Sequence, residues 1–111
     1  MITVLGLLES VTAVLAGAVA TTNPSYHATW KEHGSTALNQ PTGALTGATA
    51  VTLVSAPDSG QQRRYVESIF IFNRDTAAVT LTLAKVINGT SYTILKVALP
   101  LPVGELRGLL V

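Results

Sequence analysis

The stretch VTLTLAKVINGTSYTILKVAL, residues 79–99, constrains the fold more than any other part of the chain. Val79, Leu81, Leu83 and Lys85 alternate with Thr80, Thr82 and Ala84, the period-two pattern of a strand with one covered face. Asn88-Gly89 interrupts the pattern. Both residues tolerate positive φ, as a two-residue hairpin turn requires, so Ala78 to Ile87 and Thr90 to Leu99 are predicted to pair antiparallel. An isolated hairpin is marginal in water, and this one needs further strands and a second layer over its apolar face.

Those strands are legible elsewhere. Tyr26, Ala28 and Trp30 share one face of a strand and Ser25, His27, Thr29 and Lys31 the other, while the preceding Asn23-Pro24 marks a turn. Ala48 to Val54 and Arg63 to Phe72 read as two more, separated by the turn residues Ala56-Pro57-Asp58-Ser59-Gly60. Asn73 to Thr76 turns the chain again, and Pro100 to Gly104 makes a rigid turn before a last strand, Glu105 to Val111. From Gly34 to Gly47 the sequence is uncharged and rich in Gly, Ser, Thr, Asn, Gln and Pro, a loop long enough to suggest contact with a partner. The expectation is one domain over residues 1–111: an all-β antiparallel sandwich, jelly-roll or immunoglobulin-like in layout, of about eight strands.

The opening MITVLGLLESVTAVLAGAVATT has the small-residue Ala18-Val19-Ala20 end of a secretory signal but no basic residue before Lys31. Glu9, Ser10 and Thr12 break the roughly 20-residue apolar run that a membrane helix needs. Two strands are expected instead, Ile2 to Leu8 and Val11 to Val19, with a turn or bulge at Glu9-Ser10. A helix over Leu7 to Val19 competes on propensity, and Gly6, Gly17 and the Thr and Val content count against it.

Composition narrows the function classes. Only 12% of the 111 residues are charged against 48% hydrophobic, so the surface is weakly defended against association. Seven basic and six acidic residues leave no basic stripe for nucleic acid. There is no cysteine, which removes thiolate catalysis and Cys-ligated zinc.

Residues with chemical potential are few. His27, Glu32 and His33 are too sparse for the three or four convergent ligands of a zinc site, so no metal or cofactor is expected. Ser59 with a His and Asp58 or Asp75 lacks a nucleophile-elbow context, so no catalytic residue and no enzyme activity is expected. Asn88-Gly89-Thr90 matches a glycosylation sequon but reads first as the hairpin turn. Trp30, with Tyr26 and Tyr92, fits either core packing or an aromatic platform for a sugar. Arg63, Arg64, Glu67, Arg74 and Asp75 concentrate charge in a short span, as a solvated strand edge with ion pairs or as a docking patch that sets register on a partner.

Residues 46 to 105 resemble a type of small virion protein of tailed bacteriophages. The resemblance lies in the Gly-Ala-Thr-Ala-Val strand within Thr46 to Val54, the Ala56-Pro57 turn and the Arg-containing strand Arg63 to Phe72. It continues in the Asn73 to Thr76 turn and the Leu101 to Glu105 turn, and VLAGAVATTNPSYHATW shares its character. It implies a structural β-domain of the capsid, head-to-tail or tail apparatus that carries no catalytic residues. One small domain with a low-charge surface favours, among these, a decoration or cement protein of the capsid exterior, made in the host cytoplasm, expected as a homotrimer that binds the major capsid protein, and the charge and hydropathy patterns leave no nucleic acid or membrane partner expected. The interface residues expected are Arg63, Arg64, Glu67, Arg74, Asp75, Trp30 and Tyr26, and the contact elements the N-terminal segment and the Gly34 to Gly47 loop. A neck or tail component, or an exposed module binding a host-surface glycan, are the alternatives.

Overall fold

The computed structural model describes residues 2–74, 76–99 and 107–110. Nine strands form among them: β1 (Ile2–Leu5), β2 (Glu9–Leu15), β3 (Ser25–Glu32), β4 (Thr42–Ala44), β5 (Val51–Val54), β6 (Arg63–Phe72), β7 (Val79–Ile87), β8 (Thr90–Leu99) and β9 (Arg107–Leu110). One sheet has the order β1-β6-β3-β4, with β9 also on β6, and the other the order β5-β2-β7-β8. Every pairing is antiparallel. Apart from β3–β4 and β7–β8, each link between consecutive strands passes from one sheet to the other. The result is the expected β-sandwich. The count exceeds eight because the segment 34–47 supplies β4. Asp75 and the turn expected at Pro100 to Gly104 lie outside the described residues.

The period-two pattern places the core. Val11, Ala13 and Leu15 of β2, Leu81 and Leu83 of β7, and Leu53 and Val54 of β5 face Val4, Ala28, Val66, Ile69 and Ile71 of the other sheet, with Leu45 between them. All are essentially buried. Thr80 and Thr82, offset by one residue, lie on the half-exposed outer face. At the hairpin, Asn88 and Gly89 have φ of 50° and 81°, the doubly left-handed turn whose twist suits the flanking strands.

The first strands depart from their expected bounds. The turn lies at Gly6 to Leu8, where Gly6 adopts φ 64° and donates its N–H to the Gln62 carbonyl at 3.0 Å. Glu9 therefore opens β2 instead of turning the chain, and its carboxylate meets Lys85 Nζ at 3.0 Å. Neither helix nor strand continues to Val19. Beyond Leu15, the Leu15 and Ala16 N–H groups donate to the Gly47 and Thr80 carbonyls, which ends the ladder with β5 and β7.

Strand alternation sorts the loops into two sets. The β1–β2 turn, the start of the loop after β3, the loop 55–62 and the hairpin at Asn88-Gly89 gather at one end of the sandwich, and the loops after β2, β4 and β6 at the other.

Candidate interaction surface

Arg64 alternates onto the inner face of β6 and is only 6% exposed. Its Nη1 donates to the Ser55 carbonyl at 2.9 Å and to Ser55 Oγ at 2.8 Å, and its guanidinium carbon lies 4.0 Å from the centroid of the Trp30 ring. Glu32, paired with Arg64 across the sheet, brings Oε1 to 3.5 Å from Nε. That contact is an ion pair and not a hydrogen bond, since Nε has no hydrogen-bond partner. Delocalised charge suits Arg to this half-dry position, where a Lys ammonium would be costlier to desolvate. Two of the expected interface residues are thereby committed inside the domain: Arg64 ties β6 to the start of the loop after β5, and Trp30 supports it from below.

Of the remaining expected residues that the structure describes, Tyr26 and Arg74 line one depression and the others lie apart. Arg63 is exposed at the start of β6 and Arg74 is exposed just beyond its end, about 36 Å of extended chain apart. Glu67 sits where the β3–β6 register shifts and pairs with Lys31 at 3.3 Å. Tyr26 packs against the core and across the edge strand β4, close enough that a Cβ on Gly43 would come within 2.9 Å of its ring. The charges form a string along one strand. Each exposed pair contributes little.

The histidines also part. His33 accepts or donates through Nδ1 to Tyr65 OH at 2.8 Å near one end, whereas His27 lies opposite Phe70 toward the other. Ser59 belongs to the loop at the His33 end, far from His27. Among the described residues no three of His, Asp and Glu gather as metal ligands would. Ser25, Tyr26, His27, Thr42, Gly43, Phe70, Phe72 and Arg74 line an open depression of about 430 Å³ at the β6-β3-β4 side of the first sheet, so that two of the expected interface residues, Tyr26 and Arg74, share it. Arg74 is partly engaged there, donating Nη2 to the Asn23 carbonyl at 3.1 Å.

Exposed apolar side chains concentrate elsewhere. Leu7 and Leu8, in the β1–β2 turn, are 58% and 62% exposed, and Leu38, in the loop after β3, is 57% exposed. Leu7 and Leu8 line a shallow cleft of about 500 Å³ with Gly6, Glu9, Gly60, Ile87 and Asn88, rimmed by the Glu9–Lys85 pair. These residues share the end of the sandwich where the four loops meet. Turn geometry explains the cleft: Gly6 reverses the chain, so the two leucines that follow project from the turn instead of entering either sheet. The signal in the sequence was Gly-Leu-Leu-Glu, a glycine directly before two large apolar residues and a charge.

The second apolar feature is β8. Its register with β7 aligns Val97 with Leu81, Leu95 with Leu83 and Tyr92 with Lys85 on the inner face. Leu81 and Leu83 are fully buried, yet Val97 is 37% and Tyr92 56% exposed. The fully buried part of the core therefore ends at β7, with Leu95 of β8 partly buried against it. With Ile94 at 42%, β8 presents apolar side chains and, as the last strand of its sheet, a backbone edge that is unpaired among the described residues. The other outer strands, β1, β9, β4 and β5, are three or four residues long, which limits edge pairing, whereas β8 has ten residues.

The chain matches no protein-family model, no curated protein and no solved structure.

Proposed function

We propose that the protein is a non-enzymatic structural subunit of a larger assembly, a virion protein as its resemblance to small phage proteins implies and of the capsid-decoration type that its small, low-charge domain favours, docking on the major capsid protein from the outside of the shell. The observation that carries this reading is the clustering of Leu7, Leu8 and Ile87 around one apolar cleft at one end of the sandwich, with Leu38 in a loop at that end. Large aliphatic side chains left more than half exposed are costly to keep in water unless a partner covers them. Two of the three most exposed lie in the N-terminal segment and the third in the 34–47 loop, the elements expected to make contact.

The physical role is to add burial between subunits. Covering a half-exposed leucine contributes about 1 kcal/mol, and repetition of one weak contact over many sites multiplies its effect on the shell. A glycan-binding module is less well supported, because Trp30 is covered by the Arg64 guanidinium and Tyr26 packs across Gly43.

The test is co-sedimentation of the purified chain with shells assembled from the major capsid protein of its own virus. Saturable binding that falls about tenfold or more in the Leu7→Ser, Leu8→Ser double variant supports the reading, since two such losses amount to about 2 kcal/mol. Binding to neck or tail complexes alone, or to shells without change in the variant, overturns it.

A further inference from the structure

We propose that β8 is a self-association edge, pairing antiparallel with β8 of a second copy about a two-fold axis, so that the two four-stranded sheets join into one of eight strands. Three observations carry this. The fully buried core ends at β7, with Leu95 of β8 only partly buried against it, which leaves β8 with an outer edge unpaired among the described strands and Tyr92 and Val97 exposed on the face turned toward the other sheet. It is the one edge of this length among the described strands. Its protection against pairing is slight, a single bulge at Ile94, where the β7–β8 register shifts, and a single charge, Lys96, with no proline among Thr90–Leu99.

Charge selects a second copy as the occupant. A strand with one charge in ten residues fits a partner that is equally uncharged, and β8 itself is such a strand. With the two-fold axis between Ile94 and Leu95, Lys96 lies opposite Thr93 of the second copy, Tyr92 lies opposite its Val97, and the two ammonium groups stand about 10 Å apart along the strands. No like charges meet. Pairing of one edge with itself is isologous and closes at two chains, so this geometry differs from the trimer that the virion resemblance implies. It also turns the two leucine-lined ends in opposite directions, so that the pair links two neighbouring partners instead of gripping one; that consequence alone rests on the docking role proposed above.

Sedimentation equilibrium of the isolated chain tests the pairing without any capsid, so its failure is separate from failure of shell binding. The expected result is a mass of two chains in the micromolar range that declines to one on dilution. Ile94→Lys and Val97→Lys, both at exposed positions, are each expected to raise the dissociation constant at least tenfold with an unchanged far-ultraviolet circular dichroism spectrum, while Leu8→Ser leaves it unaltered. Should one lysine variant fail to fold, the other decides. A single-chain mass throughout, a three-chain mass, or a two-chain mass insensitive to the folded lysine variant overturns the proposal.

Discussion

Replacing Arg64 by alanine should destabilise the domain by about 3 kcal/mol, the lower end of what its two charge-assisted hydrogen bonds contribute together. The figure follows from what each partner can do afterwards. Arg64 gives up two charge-assisted hydrogen bonds to Ser55, at 2.9 and 2.8 Å, each worth about 1.5–3 kcal/mol in place. It also gives up a stacked contact on Trp30 worth about 0.5–2 kcal/mol. Ser55 is exposed and the Glu32 side chain is 31% exposed, so water recovers part of this once the guanidinium is gone. Urea unfolding gives the free energy directly, and the expected loss moves the midpoint by about 1.5 M if the slope is near 2 kcal/mol per molar. Trp30 is the sole tryptophan, so its emission should shift to the red as the ring loses its cover. Arg64→Met keeps the stem over the ring and should cost about half as much. Glu32→Gln, which touches only the 3.5 Å ion pair, should cost less than about 1 kcal/mol. An Arg64→Ala loss below about 1 kcal/mol, or a Glu32→Gln loss larger than it, would refute the reasoning that Arg64 joins the strand and loop chiefly through Ser55 and Trp30.

Gly89→Ala should lower stability by about 1 kcal/mol by thermal unfolding: space around the position is open, and the cost is that of φ 81° for an L-residue. Gly43→Ala should cost about 1–3 kcal/mol, since the added methyl falls 2.9 Å from the Tyr26 ring and 3.0 Å from its hydroxyl; an unchanged stability would mean that the ring moves aside freely. Leu7→Ser with Leu8→Ser should change unfolding free energy by less than about 0.5 kcal/mol while reducing adsorption of an apolar reporter dye, which separates a docking role from a core role.

How far the sequence reveals the molecule depends on where strict alternation holds. Arg63–Phe72 and Thr90–Leu99 are bounded by turn residues on both sides, and both strands begin and end where the pattern says. Within β6 the alternation is broken by one residue at Glu67, where the β3 register shifts. Strict counting puts Arg64 on the face opposite Ile69 and Ile71. The extra residue reverses the parity and turns Arg64 inward, which is why a charge cluster legible as a surface patch proves to have one member inside. A second register shift, at Ile94, likewise hides how β8 presents its apolar residues. Near the N-terminus Ile2 to Leu8 is apolar at all but Thr3, and periodicity carries no information on where it turns; Gly6, with its left-handed φ, marks that place. The loop 34–47 conceals β4 because Thr42–Ala44 pairs with Ser25–His27 through backbone groups, and the chain before it continues along β3 in the same way, the Asn39 and Pro41 carbonyls accepting from Trp30 and Ala28, which composition does not report. Exposure of the leucine-lined end follows from tertiary placement of four loops, information that no single stretch contains.

The most direct test of the account is an image of the intact particle at a resolution that separates β-sheets, with the chain traced through purification on a density gradient. The account predicts stoichiometric co-purification, sandwich density on the outside of the shell, and the end bearing Leu7, Leu8 and Ile87 seated against the major capsid protein. Particles that lack the chain, or density placing that end toward solvent, would contradict it.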